Sequence, residues 1–272
     1  MAKGVIPRGI AFVTGGARGL GNAVAVSFAR EGAAGVVLVD IMDEEGFKAG
    51  KEAVEKYGTE CLVIKADVTK EDHVRNAIAE AVRKFGRIDY AANFAGIGGA
   101  IGMTWDVAVE DWRKVIEVNQ IGVWLCTKYQ LEQMKKQEPL QMPDARPQRG
   151  SVVNCASVNS IQTVAMSSAY TASKHAVVGF TKTAALEARQ YDIRVNAISP
   201  GFLRTNLVLG AIQSLDGSIN TAWEQLEARQ GRAGGFNEIG DAAVFLSSPK
   251  LSLVNAHNLV VDGGFTINYG SS

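Results

Sequence analysis

Short apolar runs alternate with amphipathic helical patterns along the whole chain, and this alternation constrains the fold more than any other feature of the sequence. Seven runs that read as buried strands cover residues 10–14, 36–40, 61–68, 88–96, 151–156, 193–199 and 258–262. Helical patterns follow or separate them at residues 22–31, 43–57, 71–85, 110–136, 169–190, 221–229 and 238–248. Strands that alternate with helices predict an α/β fold with a parallel sheet covered on both faces.

The composition and charge exclude several classes of protein. The 272 residues are 47% hydrophobic and 21% charged, which fits one large domain, and no second domain boundary is visible. Lys+Arg and Asp+Glu both number 28, so no basic surplus indicates a nucleic acid or membrane partner. No apolar run approaches the roughly 18 residues of a membrane span. Cys61, Cys126 and Cys155 lie in apolar stretches without C-x-x-C spacing, so we expect core thiols, a cytoplasmic location and no metal site.

The first apolar run opens into a glycine-rich turn, G-G-A-R-G-L-G at 15–21, which a helical pattern follows. Strand, glycine turn and helix are the parts of a dinucleotide-binding βα unit. Gly15 and Gly19 let the backbone approach a pyrophosphate, Gly21 lets the helix pack close to the strand, and the helix N-terminus offers free N–H groups to the anion. Glycines also punctuate ordinary loops, but the position between a strand and a helix favours the binding unit.

Acidic residues end the second and third runs. Asp40 comes about 20 residues after the glycines, where a carboxylate accepts both ribose hydroxyls of an adenosine and repels a 2′-phosphate, which favours NAD over NADP. Arg18, inside the glycine turn, is the competing signal, since it can pair with a 2′-phosphate. Alternatively, Asp40 is the N-cap of the next helix. Asp67 can accept from the adenine amino group, with Val68 packed on the ring.

The stretch from Ser157 to Lys174 carries the candidate chemistry. Tyr170 and Lys174 are spaced i, i+4 on a predicted helix, so both side chains leave the same face. An adjacent ammonium stabilises a phenolate, which makes Tyr170 a candidate general acid and base. Ser157 follows a buried run, from which its hydroxyl can bond a substrate oxygen and stabilise developing negative charge. On its own, Y-x-x-x-K on a helix is as typical of an amphipathic residue beside a solvated lysine.

Three further stretches carry weaker signals. Asn119, in the apolar middle of the helix at 110–136, must be hydrogen-bonded, either to hold a kink or as part of a polar relay. Residues 137–150 hold three of the six prolines and predict a surface loop, whether a linker, a partner contact or tolerated length. Residues 202–237 predict a substrate lid, or else a helical excursion with its own small core.

Taken together, these motifs resemble the classical short-chain dehydrogenase/reductase family over essentially the whole chain. They are T-G-G-A-R-G-L-G (14–21), D-V (67–68), N-F-A-G (93–96), Asn119, Ser157 thirteen residues before Tyr170, Y-T-A-S-K (170–174), P-G (200–201) with Thr205, and V-D-G-G (261–264). The resemblance implies a single Rossmann-like, doubly wound domain over residues 1–272 with a seven-stranded, mostly parallel sheet. It also implies a homodimer or homotetramer whose dimers form through the helices at 110–136 and 169–190.

The same resemblance implies a role for each matching residue. Tyr170 would give or take the hydroxyl proton, Ser157 would position the substrate oxygen, and Lys174 would favour the phenolate and bond the nicotinamide ribose. Asn119 would hold a water that links Lys174 to solvent, and Thr205 would bond the nicotinamide carboxamide. The implied NAD contacts, with NADP possible, are Gly15, Arg18, Gly19, Leu20, Gly21, Asp40, Ile41, Asp67, Val68, Asn93, Ala95, Gly96, Tyr170, Lys174, Pro200, Gly201 and Thr205.

One residue departs from the family pattern. The family usually has N-N-A-G where this chain has Asn93-Phe94-Ala95-Gly96. We expect Phe94 either to cost the strand a hydrogen bond or to narrow the pocket.

The sequence therefore predicts an oxidoreductase that interconverts a secondary alcohol and a ketone. The expected pocket lies among Ile97, Ser157, Asn159, Val164, Met166, Tyr170, Phe202 and the lid. No cationic residue is obviously directed into it, so we expect a small-molecule substrate that is uncharged, apolar or cyclic. Two alternatives are a non-redox enzyme, such as a cyclase, dehydratase or epimerase, and a protein that senses NAD(H) without turnover.

Overall fold

Seven parallel strands form one sheet in the order β3-β2-β1-β4-β5-β6-β7. The computed structural model describes residues 4–143, 145–205 and 218–268, with the backbone alone described at 218–222. Every neighbouring pair of strands is parallel, which confirms the predicted sheet. The strands are β1 (Ile10–Thr14), β2 (Gly35–Asp40), β3 (Glu60–Lys65), β4 (Tyr90–Asn93), β5 (Gly150–Cys155), β6 (Ile193–Pro200) and β7 (Asn258–Val261).

Helices cover both faces of the sheet because alternate strand residues point to opposite sides. In β1, Ala11 and Val13 belong to one core cluster, whereas Ile10 and Phe12 belong to the other. The described helices are α1 (Gly19–Arg30), α2 (Glu44–Glu55), α3 (Glu71–Phe85), α4 (Val109–Ile116), α5 (Val123–Met134), α6 (Ser168–Ala188), α7 (Ser218–Gln230) and α8 (Phe236–Ser247). Buried residues of α1, α2 and α8 complete the first cluster, and those of α3, α5 and α6 complete the second.

The single helix predicted at 110–136 is interrupted. A π-helical segment, Glu117–Gly122, separates α4 from α5 and contains Asn119. Such widened turns occur inside helices at functional sites more often than elsewhere. Continuous apolar periodicity on either side of the segment hid this interruption from the sequence analysis.

The predicted surface loop at 137–150 is partly built into the core. The Gln137 amide bonds both backbone polar groups of Ile88, each at 2.8 Å. The Gln148 side chain accepts from the buried guanidinium of Arg194 at 2.9 and 3.1 Å and donates to the Ser247 carbonyl at 3.0 Å. An antiparallel bridge between Leu140 and Gln148 closes the loop. Its ends therefore bond residues at the amino-terminal ends of β4 and β6, away from the strand ends that carry the candidate site.

The lid predicted at 202–237 is described only in part, and residues 206–217 lie outside the described chain. Phe202 packs edge-on against Trp223 of α7 and against Phe265, with ring centres 5.2 and 4.7 Å apart. The described part therefore packs partly on Phe265, outside the segment, and both the lid and the alternative interpretation stay predictions.

Candidate active site

Tyr170 and Lys174 lie together in the first two turns of α6. The Lys174 ammonium nitrogen is 5.5 Å from the centre of the Tyr170 ring. Lys174 exposes only 4% of its surface, and its Nζ donates to the carbonyl of Cys155 at 2.8 Å. A long lysine side chain is thus held in one place by the last residue of β5. The geometry puts a positive charge beside a phenol that is itself partly open to solvent.

Ser157 follows β5 and caps a short 3-10 turn, Val158–Ser160. Its Oγ accepts from the Asn159 backbone N–H at 3.2 Å, and its carbonyl accepts from the Ser160 hydroxyl at 2.7 Å. The backbone at Ser157 is therefore fixed, while the hydroxyl keeps its proton available for a further acceptor. Because β5 carries Ser157 at its carboxyl end and receives Lys174 there, serine and lysine share one edge of the sheet.

Asn119 uses its carboxamide to hold the loop after β4. Its Oδ1 accepts from the Ile97 N–H and its Nδ2 donates to the Ile97 carbonyl, each at 2.8 Å. A Cβ built on Gly96 would lie 3.2 Å from Asn119 Oδ1 and 3.9 Å from Lys174 Nζ. Glycine at position 96 therefore lets the asparagine and the lysine approach the same stretch of backbone.

The glycine turn between β1 and α1 has the shape of a phosphate cradle. Gly15 and Gly19 have left-handed φ values of 68° and 60°, a region that glycine adopts without steric strain. A Cβ on Gly15 would lie 2.9 Å from the Ala95 nitrogen, so the turn packs directly on the loop after β4. Beside Gly19, outside its own helix and chain neighbours, no described atom lies within 4 Å of the position of a Cβ. This open space at a helix N-terminus fits a pyrophosphate.

Asp40 lies beside this cradle at the end of β2. One carboxylate oxygen accepts from the Ala17 N–H of the glycine turn at 3.2 Å, and the other accepts from Ile41 N–H at 2.8 Å. The N-cap of α2 is Asp43, whose Oδ1 accepts from Gly46 N–H at 3.0 Å. The alternative in which Asp40 caps that helix was therefore wrong. Arg18, exposed in the same turn, and Leu20 flank the cradle.

Asp67 and Val68 follow β3 at the same edge. Asp67 Oδ1 accepts from the backbone and hydroxyl of Thr69 at 2.9 and 2.8 Å. Val68 is buried against the π-helical segment, where a Cβ on Gly122 would lie 2.8 Å from a Val68 methyl carbon. The isopropyl group of Val68 thus packs inward, and a ring at this site would meet mainly its backbone.

The Asn93 side chain points away from the open edge, into a buried polar network. Its amide nitrogen lies 2.9 Å from both Gln130 Oε1 and Asn154 Oδ1, and its Oδ1 accepts from Gln130 at 2.8 Å. Asn154 in turn donates to Thr181 at 3.0 Å. The sequence analysis missed this network, although Asn154 inside the apolar run at 151–156 is a signal for it, since a buried amide must be bonded. Any contact from Asn93 to a cofactor would come from its backbone.

Phe94 fills the core and does not line the open edge. It is 9% exposed and belongs to the core cluster on the α1 and α8 face. The strand end does not lack hydrogen bonds, because the hydroxyl oxygen of Thr14 accepts from the N–H groups of Phe94 and Ala95, both at 3.2 Å. The expectation that Phe94 narrows the pocket was therefore wrong, and the loss of the hydrogen bond that an amide side chain would make here stays a prediction.

The last stretch of the predicted site follows β6. Gly201 N–H donates to the Val261 carbonyl at 2.9 Å, which carries the β6–β7 pairing past Pro200. The Thr205 N–H donates to the Leu203 carbonyl at 2.8 Å. Pro200, Gly201 and Thr205 therefore lie on one ordered stretch of backbone beside the carboxyl ends of β5 and β6.

Burial disfavours the ionised form of all three thiols. Burial raises the pKa of Cys61 and of Cys126 to about 12, so both stay protonated. Burial also raises the pKa of Cys155, against a smaller opposite effect of the nearby Lys174 charge. Among the described residues, no three His, Cys, Asp or Glu side chains are grouped closely enough to hold a metal ion. Nor is any described helix long and apolar enough to cross a membrane.

Comparison with known proteins agrees with this arrangement. A family model described as enoyl-(acyl carrier protein) reductase matches residues 15–266. The chain is 37% identical over 269 residues to the short-chain dehydrogenase fogB of Aspergillus ruber, covering 95% of this chain and 97% of that one. The chain belongs to the short-chain dehydrogenase/reductase family.

Other members of the family support the assignment. The chain is 35% identical over 254 residues to 2,5-dichloro-2,5-cyclohexadiene-1,4-diol dehydrogenase of Sphingobium indicum, covering 93% of this chain and 95% of that one. The crystal structure of levodione reductase matches with a TM-score of 0.89 and 36% identity, covering 97% of this chain and all of the other. An NAD+-bound xylitol dehydrogenase matches with a TM-score of 0.85 and 29% identity, again over 97% and 100%. The protein is thus a short-chain oxidoreductase with a Rossmann-like fold and a nicotinamide cofactor.

Proposed function

We propose that this short-chain oxidoreductase interconverts a secondary alcohol and a ketone with NAD(H), acting on an uncharged, apolar or cyclic substrate. The observation that carries the proposal is the buried Lys174 ammonium, fixed by the Cys155 carbonyl beside the Tyr170 phenol. The glycine cradle and Asp40 lie at the same edge of the sheet, so a cofactor bound there would extend towards this pair.

The nicotinamide would supply hydride transfer to or from the substrate carbon. The chain's own residues would manage the oxygen. Ser157 would donate a hydrogen bond to the substrate oxygen, and the Tyr170 hydroxyl would give its proton to that oxygen during reduction and take it back during oxidation. Lys174 would stabilise the phenolate that remains, because the bond to the Cys155 carbonyl keeps its positive charge beside the Tyr170 ring.

Proton supply to this pair would pass the backbone that Asn119 holds. The Gly96–Ile97 stretch borders both Asn119 and Lys174, and Gly96 is exposed to solvent. We propose that a water at this stretch links Lys174 to solvent, with Asn119 keeping the loop in place. Asn119 would then combine the two roles that the sequence analysis held apart.

The preference for NAD over NADP is supported by the position of Asp40. Its carboxylate is held next to the glycine turn by the Ala17 N–H. A ribose with free hydroxyls would meet an acceptor there, whereas a 2′-phosphate would meet a like charge. Arg18 is exposed in the same turn and is the residue through which NADP could still be accepted.

An apolar substrate is supported by the rim of the site. Ile101 and Met103, on the loop after β4, and Ile161 and Met166, on the loop after β5, are exposed apolar side chains. The two loops meet where Gly102 N–H donates to the Met166 carbonyl at 3.1 Å. One relative, named for a cyclohexadiene diol, is a dehydrogenase of a cyclic alcohol. These apolar side chains would favour a ring over a small carboxylate.

The proposal is tested by absorbance assays with NADH and NADPH against a panel of cyclic ketones, secondary alcohols and small keto acids. We expect NADH consumption with cyclic ketones and little activity with the keto acids. A strong preference for a small carboxylate would contradict the substrate class, and equal or better use of NADPH would contradict the cofactor preference.

We also propose a dimer formed through α5 and α6 and a cytoplasmic location. A groove of about 590 Å³ runs between these helices and is lined by Trp124, Phe180 and Tyr191 among others. Trp124 is 45% exposed, so its ring offers apolar surface to a partner subunit. The cytoplasmic location is supported by the three cysteines, each of which is free.

A further inference from the structure

Gln230, the last residue of α7, is a buried amide that bonds the chain just after β6. It exposes 7% of its surface. Its Oε1 accepts from the Phe202 N–H at 2.6 Å, and its Nε2 donates to the Phe202 carbonyl at 3.0 Å and to the Arg232 carbonyl at 2.8 Å. One side chain therefore satisfies both backbone polar groups of Phe202 and ties them to the chain that follows α7.

The Gln230 amide supplies the hydrogen bonds that a neighbouring strand would supply if the sheet continued past Gly201. The β6–β7 pairing reaches Gly201, whose N–H donates to the Val261 carbonyl at 2.9 Å. The next residue, Phe202, has no strand beside it, and a carboxamide offers the same donor and acceptor that a strand would. The space is tight, because a Cβ on Gly201 would collide with Gln230 Oε1. Gln230 therefore fixes the backbone of Phe202, directly after the strand residues Pro200 and Gly201.

We propose that Gln230 is a positioning residue for the cofactor, acting through the backbone of Pro200, Gly201 and Phe202. This inference rests on the proposed function and on the family resemblance, which implies that Pro200, Gly201 and Thr205 contact the cofactor, with Thr205 at the nicotinamide carboxamide. Gln230 itself does not touch the cofactor. Its amide would keep the backbone that follows β6 in place relative to Ser157 and Tyr170, so that the nicotinamide carbon and the substrate carbon are aligned.

A purely structural role for Gln230 is the competing explanation, and the chain contains a matched control. Gln137 is also 7% exposed and also bonds both backbone groups of one residue, Ile88, each at 2.8 Å. Ile88 precedes β4 at the opposite edge of the sheet from the candidate site. Methionine has nearly the volume of glutamine but cannot make the hydrogen bonds of its amide. Gln230→Met and Gln137→Met therefore remove the same kind of interaction at opposite edges of the sheet.

The test measures the Kd for NADH by fluorescence titration, kcat with a turned-over ketone, and the free energy of unfolding for both variants. We expect both variants to lose stability. Only Gln230→Met should raise the Kd for NADH by about tenfold, equivalent to about 1.4 kcal/mol of binding free energy, and lower kcat as well. Equal Kd and kcat in Gln230→Met and wild type, or equal losses in both variants, would overturn the inference.

A second variant guards against a failure of Gln230→Met to fold. Gln230→Glu has the shape of glutamine, but a carboxylate cannot donate to the carbonyls of Phe202 and Arg232, whereas a protonated carboxyl can donate to one of them. Relative to wild type at each pH, its NADH affinity should recover as the pH falls from about 8 to about 5, since burial favours the protonated acid. A constant ratio to wild type across this range would contradict the inference.

These outcomes are separable from a failure of the proposed function. Wild-type protein that neither binds NADH nor turns over any alcohol or ketone would refute the proposed function and this inference together. Wild-type protein that binds and turns over, with Gln230→Met behaving as Gln137→Met does, would refute this inference alone.

Discussion

At the scale of single residues, Lys174 is informative because a buried ammonium is costly unless it is bonded. Its Nζ is held by the carbonyl of Cys155 at 2.8 Å and lies 5.5 Å from the centre of the Tyr170 ring. A lysine that only stabilised the fold would be expected to pair with a carboxylate. Its place beside a partly exposed phenol is better explained by a reaction that needs a phenolate.

Asp40 carries a prediction about the choice of cofactor. Replacing its carboxylate in Asp40→Ser removes the charge that would repel a 2′-phosphate, while Arg18 remains available to bind it. We expect the ratio of kcat/KM for NADPH to that for NADH to rise by about tenfold or more, since about 1.4 kcal/mol corresponds to a factor of ten. Steady-state kinetics with both cofactors measures this ratio.

Asp43 supplies the matched control for that substitution. It lies three residues away and caps α2 through its bond from Gly46 N–H. Asp43→Ala should cost about 1 kcal/mol of stability and leave the cofactor ratio unchanged. The role proposed for Asp40 would be contradicted if the ratio of kcat/KM for NADPH to that for NADH changed equally in both variants, or if it did not change in Asp40→Ser.

The sequence predicted the positions of some site residues and not of others. The i, i+4 spacing of Tyr170 and Lys174 follows from helix geometry alone, and the structure places the pair as that spacing requires. The side-chain positions of Asn93 and Phe94 were harder to predict, because strand periodicity does not reveal which way the side chains of the last residues of a strand point. The Asn93 side chain is bonded inside the protein by Gln130 and Asn154, whose positions depend on tertiary packing.

At the scale of secondary-structure elements, strand positions were largely predictable and helix interruptions were not. Buried parallel strands consist of continuous apolar runs, which the sequence displays directly. The π-helical segment Glu117–Gly122 adds no visible break to the apolar pattern, so one helix was predicted where the structure has α4 and α5. The ends of the 137–150 loop are held by the glutamines 137 and 148, whose partners are distant in sequence.

The N-terminus of α8 carries a prediction about pH. Glu238 accepts from the Gly235 N–H at 2.7 Å and pairs with Arg232, and these two interactions lower its pKa to about 2. A depressed acid pKa stabilises the fold above the ordinary value of about 4.5 and loses that contribution as the pH falls towards about 2. Because the side chain is exposed, we expect Glu238→Gln to cost only about 0.5 kcal/mol at neutral pH.

Denaturant unfolding at several pH values checks this prediction. The difference in unfolding free energy between wild type and Glu238→Gln should shrink steadily below about pH 4.5. Glu52→Gln, at an exposed position of α2, serves as the control and should show little difference at any pH. A Glu238→Gln difference that grows on acidification would show that the sign is wrong.

At the scale of the whole molecule, the arrangement of layers follows from the alternation of strands and helices. A parallel sheet with two covered faces, and a ligand site beyond its carboxyl edge, is what such a chain is expected to form. The strand order, with β1 and β4 adjacent at its centre, places the glycine turn beside the loop that carries Ala95 and Gly96. Composition and periodicity alone do not determine this order, and the sequence analysis did not predict it.

The groove between α5 and α6 predicts how the molecule associates. Trp124→Glu places a charge on the exposed apolar wall of this groove, so we expect it to shift a dimer towards monomer by at least about tenfold in Kd. Sedimentation velocity across a concentration series measures the shift. Trp105→Glu is the control, since Trp105 is 80% exposed and does not line the groove. A monomeric wild type, or an unchanged dimer in Trp124→Glu, would contradict this interface.

The measurement that tests the central claim most directly is the transfer of deuterium from NADH that carries deuterium at both hydrogen positions of the reactive nicotinamide carbon. Wild-type protein, Tyr170→Phe protein and a cyclic ketone would be analysed by mass spectrometry of the product. We predict one deuterium on the carbinol carbon of the wild-type product, and almost no product from Tyr170→Phe although it still binds NADH. Product that forms without deuterium, or equal transfer by the Tyr170→Phe variant, would contradict the assignment of Tyr170 as the proton donor in a hydride-transfer reaction.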